Sequence, residues 1–248
     1  VLQHGNKMSK SAVEAGDPQK LLDKYGADTV RTAMMFAAPP DQSFEWSEAG
    51  LEGAARFIKK LYTLVEDHRA GGLVADLDVA QLSDAAKDLR RKTFETLMRA
   101  DDDYGRRLQF NTVVSSVMEL CNAIGKFETT NISDRAVVDE ALKHAVLIIS
   151  PIAPHVAHHL WHQLGETGAL VAASWPPVDE QALTLSTVEI VVQVNGKVRG
   201  KIDIAADADK DAVLGMAKSA DNVARHLEDK TIRKEIVIPN KLVNIVVS

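Results

Sequence analysis

The sequence predicts a multi-domain, mainly α protein: a helical connector, an antiparallel helix bundle, and a small α+β domain. Three observations carry this reading. Apolar residues recur at three- and four-residue steps from Leu51 to about Leu164, the period of one helix face. After Pro176-Pro177 the period becomes two, with Val188, Ile190, Val192 and Val194 alternating. Prolines and glycines punctuate these runs at Pro39-Pro40, Gly71-Gly72, Pro151 and Gly165. The expected domains are 1–48, 49–186 and 187–248.

Asp17-Pro18 starts a helix, because an acidic N-cap precedes a proline whose missing N–H has no helical partner to lose. Leu21-Leu22 face inward and Gly26 ends it. A second helix runs from Asp28 to Ala38 and stops at Pro39-Pro40. Leu51, Ala54, Phe57, Ile58, Leu61, Leu64 and Val65 form the stripe of the first bundle helix. From Asp67 to Asp84 the pattern is irregular and reads as a loop. A helix follows over about Ala85 to Asp103, and the next carries Phe110, Val113, Val114, Val117, Met118, Cys121 and Ile124. Asp134 is the expected cap of a fourth, with Val138, Leu142, Val146 and Ile149 inward. Pro151 interrupts it, and Pro154 opens a fifth that Gly165 ends. Short connections between such helices make a bundle. In the last domain, Asn195-Gly196 is a hairpin turn, with Val198, Ile202 and Ile204 on the return strand. Residues 208–228 read as one or two short helices, and Ile232 to Ile238 and Leu242 to Val247 as strands. The resulting β-β-α-β-β order suggests a small α+β domain.

The chain has 248 residues, 46% hydrophobic and 26% charged, as expected for a globular protein. No apolar run approaches the roughly 20 residues that span a bilayer, and no secretory leader is apparent. The single Cys121 excludes an internal disulfide and fits a reducing cytoplasm. A cytoplasmic protein without membrane contact is therefore expected, and a monomer is expected as well. The formal charge of −6 argues against indiscriminate nucleic-acid coating, but not against specific RNA binding through local basic patches.

Lys7-Met8-Ser9-Lys10-Ser11 concentrates cations and hydroxyls in one short stretch, a chemistry that can hold a polyphosphate. The same pattern is also common on solvated loops. No glycine-rich phosphate loop and no His-x-Gly-His occur in these residues. His155, His158, His159 and His162 fall on one helix face, yet no cysteine or obvious carboxylate completes a site. No metal is assigned, and a solvated helix face is expected there.

K-M-S-K-S is the second signature of the class I aminoacyl-tRNA synthetases. Asp17-Pro18-Gln19, Lys24-Tyr25-Gly26-Ala27-Asp28-Thr29, Met35 to Pro40, Phe44-Glu45-Trp46-Ser47 and Gly50-Leu51-Glu52-Gly53-Ala54 follow at that family's spacing. Arg106-Arg107-Leu108-Gln109-Phe110-Asn111-Thr112 and Val192 to Lys201, with Asn195-Gly196-Lys197-Val198-Arg199 at its centre, agree with it. The chain thus resembles the bacterial leucyl-tRNA synthetases over nearly its whole length. It reads as a C-terminal piece that holds one ATP-contacting loop and tRNA-binding domains.

The resemblance implies that the longer enzyme uses ATP and Mg2+ to form leucyl-adenylate and then charges tRNA(Leu). Lys10 would support the leaving pyrophosphate, Lys7 would close the loop over ATP, and Ser9 and Ser11 would supply hydroxyls. No tightly bound cofactor is expected in this piece, and the piece alone is expected to be inactive. Ala12-Val13-Glu14-Ala15-Gly16 replaces the family's usual lysine and Asn-Asn-Gly, which stiffens the loop and adds a negative charge. The bundle resembles an anticodon-binding domain, with Arg106, Arg107, Gln109 and Asn111 placed against RNA. Alternatively, Asn111 caps a helix and Arg106 pairs with Asp102 or Asp103. Lys197, Arg199 and Lys201 stand two apart and are expected on one strand face, with Arg233, Lys234 and Lys241 extending an RNA-binding patch. The rival reading of that stripe is a solvated or edge-protecting strand. Two other assignments compete: a related isoleucine, valine or methionine enzyme, and a non-catalytic RNA-binding module.

Overall fold

The structure, a computed structural model, describes residues 2–3, 6–7, 18–43, 47–72, 74–184, 187–205, 208–228, 230–239 and 241–248. The chain forms two units, Val1–Leu183 and Thr184–Ser248.

The first unit begins with two short antiparallel strands, β1 (Leu2–Gln3) and β2 (Asn6–Lys7). Helix α1 spans Pro18–Tyr25, with proline at its first position; Asp17, the expected cap, lies outside the described residues. Gly26 then turns the chain at φ 79°, a left-handed conformation that favours glycine, and α2 (Ala27–Ala37) follows at once. Ala33 of α2 packs on Leu51 and Ala54 of α3 (Glu48–Ala70), with Leu21, Tyr25 and Val30 around them. Ser47 caps α3 by accepting from Gly50 N at 2.9 Å.

α3 continues to Ala70, four residues into the expected loop. The cause is tertiary: His68 is buried in its last turn, against Asp139 at 3.1 Å. α4 (Asp84–Asp102) is capped by Ser83. α5 (Phe110–Lys126), α6 (Ile132–Ile149) and α7 (Pro154–Gln163) complete the bundle. The cap of α6 is Asn131 rather than Asp134: Asn131 Oδ1 accepts from Asp134 N, and Asp134 reaches back to Thr130 N. Both residue types cap well, and the reciprocal pair satisfies two otherwise orphaned amides.

One apolar core runs through α3 to α7, with Leu61, Val65, Leu97, Val113, Leu120, Leu142, Ile148 and Leu160 at or near zero exposure. Each such side chain removed from water contributes roughly 1.5–3 kcal/mol. The connector is fastened to this bundle by two residues of α2. Arg31 donates to the carbonyls of Ile152 and Pro151 at 2.9 and 3.0 Å. Asp28 accepts from Val156 N at 2.7 Å and meets His155 Nδ1 at 2.9 Å. Together they hold the corner where α6 ends and α7 begins.

The second unit is a four-stranded sheet in the order β4-β3-β6-β5. Its strands are β3 (Thr187–Val194), β4 (Lys197–Ala205), β5 (Ile232–Ile238) and β6 (Leu242–Val247). β3 and β6 pair in parallel, and the two outer pairings are antiparallel. Asn195 (φ 50°) and Gly196 (φ 76°) make the hairpin turn, since both central positions of this turn need positive φ. The Asn195 side chain also bonds the Val247 carbonyl and N–H, which ties the hairpin tip to β6. Helices α8 (Lys210–Ser219) and α9 (Asp221–Leu227) cover one face. Val188, Ile190, Val192, Ile202, Ile204, Val243 and Ile245 pack there against Val213, Leu214, Ala217 and Val223.

Candidate nucleic-acid interface

Lys7 lies in β2, its backbone opposite Leu2. Met8, Ser9, Lys10 and Ser11 lie outside the described residues, as does the Lys7 side chain. The expected ATP contacts therefore fall outside what the structure describes.

The arginines of the bundle sit where α4 runs into a π-helical turn, Asp103–Arg107, followed by Leu108 at φ 52°. Widened turns of this kind re-aim side chains. Here they aim both arginines at carboxylates. Arg106 grips Asp102 with two bonds, at 2.6 and 2.8 Å, and its hydrogen bonding holds that carboxyl below the usual range. Arg107 bonds Asp103 at 2.8 Å, and the fully buried Asp103 also accepts from Thr112 Oγ1. In this structure Arg106 is thus ion-paired with Asp102. Gln109 Nε2 donates to the Arg107 carbonyl. Asn111 does not cap α5: Gln109 occupies the cap position, and the Asn111 Oδ1 is buried without a partner among the described residues.

The expected stripe Lys197, Arg199 and Lys201 does not share one strand face. The ladder pairs Val192 with Gly200 and then Gln193 with Val198, which leaves Arg199 as the extra residue of a β-bulge. Cross-strand partners point to the same side. Lys197 pairs with the buried Val194 and so belongs to the helix-covered side, while Lys201 pairs with Val191 on the open side. Arg199 leans with its neighbour Gly200, where an added Cβ would meet Val223 of α9 at 3.3 Å. A second bulge at Arg233 puts Lys234 opposite Val246 on the open side. Lys241 lies at the turn into β6, with its N–H on the Ile238 carbonyl.

Charge pairing separates the two units. In the helical unit, Arg90 meets Glu140 and Asp179, each at 2.8 Å, Arg91 meets Asp88 and Glu95, and Lys143 meets Asp139 and Glu166. In the sheet unit, Lys201 pairs with Glu189 at 2.8 Å and Lys218 with Glu235 at 2.6 Å. Among the described residues, Lys197, Arg199, Arg225, Lys230, Lys234 and Lys241 make no ion pair, and Arg233 bonds only the Ser248 hydroxyl. The Arg199 Nε is buried without an acceptor among the described residues. Arg225 and Lys230 escape a reading by strand alternation, because Arg225 lies in α9 and Lys230 in the segment after it; the acidic Glu228 and Asp229 between them also break up any basic run that sequence could show.

The histidines of α7 have separate roles. His155 faces Asp28, His159 stacks on Tyr62 at 5.7 Å, and His158 and His162 meet at Nε2 with 3.3 Å between them. Among the described residues, no group of three or more His, Cys, Asp or Glu is placed to hold a metal ion. No described helix is long and apolar enough to cross a membrane.

Comparison with known proteins agrees with this architecture. A family profile described as the anticodon-binding domain of tRNA ligase matches residues 86–214, just over half of the chain. The chain is 53% identical over 99% of its length to a leucine--tRNA ligase of Halorhodospira halophila, and 57% identical over 97% to that of Alkalilimnicola ehrlichii. It spans about 30% of the length of these curated relatives. Among solved structures, a LeuRS–tRNA–LeuAMS ternary complex of Agrobacterium radiobacter K84 matches 99% of the chain and 32% of its own, with a TM-score of 0.79 at 21% identity, a likeness of fold. The chain belongs to the anticodon-binding domain family of tRNA ligases, and its curated relatives along nearly its full length are bacterial leucine--tRNA ligases.

Proposed function

We propose that this chain is the tRNA-gripping part of a leucine–tRNA ligase, which forms leucyl-adenylate from leucine and ATP and transfers the leucyl group to tRNA(Leu). The observation that carries the proposal is identity above one half with leucine--tRNA ligases along nearly all of the chain. The unpaired cations of the sheet unit support it, since lysines and arginines without carboxylate partners are available to phosphates. In this reading residues 1–48 carry the ATP-contacting loop and connector, 49–186 the anticodon-type bundle, and 187–248 a tRNA-binding module. The protein works in the cytoplasm as a monomer.

Adenylate formation attacks the α-phosphorus of ATP and expels pyrophosphate, so the protein's share is positioning and charge stabilisation. Lys10 neutralises charge that develops on the leaving pyrophosphate, Lys7 closes over the nucleotide, and Ser9 and Ser11 donate to phosphate oxygens. Mg2+ enters with ATP as part of the substrate. On the tRNA side, Arg106 and Arg107 start from intact carboxylate pairs and so must exchange one anion for another. The sheet unit has no such exchange to make at its unpaired cations.

The test of the catalytic assignment is Lys10→Ala in the full-length enzyme. Leucine-dependent pyrophosphate exchange should slow by about 100-fold or more, with leucine affinity nearly unchanged, because the contact acts mainly in the transition state. An unchanged exchange rate removes Lys10 from this role.

A further inference from the structure

The bulge at Arg199 rearranges the basic residues of the sheet unit. Arg199 is turned out of the open face and toward α9, beside the close packing of Gly200 on Val223. α9 ends with Arg225-His226-Leu227, and Lys230 follows, its N–H bonded to the Leu227 carbonyl. Desolvation, and then the charges of Arg199, Lys230 and Arg225, hold His226 below the usual imidazole range, so all three cations lie within Coulombic reach of that ring. None of the three makes an ion pair among the described residues. Glu228, between Arg225 and Lys230 in sequence, is exposed and makes no ion pair among the described residues either.

We infer that Arg199, Arg225 and Lys230 form a phosphate-binding site for the sugar–phosphate backbone of RNA, on the helix-covered side of β4, with Lys197 on the same side of the sheet. The inference rests on the tRNA-binding reading and specifies where the electrostatic grip lies. Three like charges that no carboxylate pairs among the described residues repel one another. The buried Arg199 Nε lacks an acceptor among the described residues, and leaving such a donor unpaired is costly. A bridging phosphate relieves both: its oxygens accept from the guanidinium forks, and its charge offsets the repulsion. Lys201 stands outside this site, because it faces the open side and is already neutralised by Glu189. The sequence stripe of three cations is thereby replaced by a cluster drawn from β4, α9 and the segment after it.

The experiment measures binding of a tRNA(Leu) transcript to the 248-residue chain at about 50 and 200 mM salt. Arg199→Gln/Arg225→Gln/Lys230→Gln is expected to weaken binding at least tenfold at the lower salt. The bridging phosphate that is no longer neutralised takes about 0.7–0.9 off the log–log salt slope, so the slope should fall by roughly 1. Arg225→Gln/Lys230→Gln, confined to exposed residues, should show most of this effect and keeps the test open if the Arg199 substitution disturbs the hairpin. Lys201→Ala should leave affinity within about twofold, and Glu228→Gln should tighten binding. If wild type binds with a steep salt slope and the triple variant matches it, the site is wrong while tRNA binding stands. If Lys201→Ala weakens binding as much as the triple variant, the open face carries the grip and the site is again wrong. If the wild-type chain does not bind the transcript, the tRNA reading fails and the site fails with it.

Discussion

Asp28→Ala is expected to destabilise the helical unit by about 2–3 kcal/mol. Asp28 is 5% exposed and accepts from Val156 N at 2.7 Å, where α7 begins. Loss of an acceptor at a helix N-terminus costs about 1 kcal/mol. A buried donor left without a partner adds about 1–3 kcal/mol, the lower part of that range applying where water can reach the helix end. The contact with His155 contributes less than about 1 kcal/mol, because that side chain is 81% exposed. Asp28→Asn keeps an oxygen for Val156 and should cost only about 1 kcal/mol, and His155→Ala less still. All three tryptophans, Trp46, Trp161 and Trp175, belong to the unit Val1–Leu183, so tryptophan fluorescence in a urea titration reports on it alone. A loss below about 0.5 kcal/mol for the alanine variant would refute the reasoning, as would equal losses for Asn and Ala.

Burial first, with Arg90's charge adding to it against the opposing Glu140, depresses the His144 imidazole. The unfolded chain then takes up a proton near the ordinary pKa of about 6.5 that the folded chain refuses, so stability falls as pH drops through that value toward the depressed one. His144→Gln should narrow the difference in urea midpoint between about pH 5.5 and 7.5; an unchanged difference excludes His144 as its source. Arg90→Ala strands Glu140 and Asp179 with no counter-charge from that guanidinium and should cost about 3 kcal/mol. It should also expose the segment 173–183 to limited proteolysis, since Asp179 loses its anchor; resistance equal to wild type would show the segment to be held by its other contacts.

The helix stripes are legible in the sequence because each bundle helix buries one face, and the 3.6-residue period records that directly. What escapes depends on partners distant in sequence. The last turn of α3 is held by His68 on Asp139, 71 residues away, and no local pattern reports such a bond. Asn131 and Asp134 are both good caps three residues apart, so composition alone does not choose between them. The i,i+4 pairs of Arg106 with Asp102 and Arg107 with Asp103 are within reach of sequence spacing. The bulge at Arg199 is not, because an extra residue in a ladder shows only against the partner strand. Alternation counted along β4 alone therefore groups Lys201 with cations that face the other way, and it misses Arg225 and Lys230.

The bulge also sets the rules for grafting or redesigning this hairpin. With a side-chain period of two, β4 carries one parity from the turn to Val198 and the other from Gly200 onward. Deleting Arg199 would join Val198 directly to Gly200 and bring the two parities into step with every cross-strand pair kept, whereas deleting any other single residue between Lys197 and Ile202 would turn one end of the strand over unless the bulge moved to compensate. Arg199 is thus a reading-frame marker for the hairpin, and chimeras with a related sheet should be joined on the α8 side of Gly200 or should carry Lys197 to Gly200 as one block.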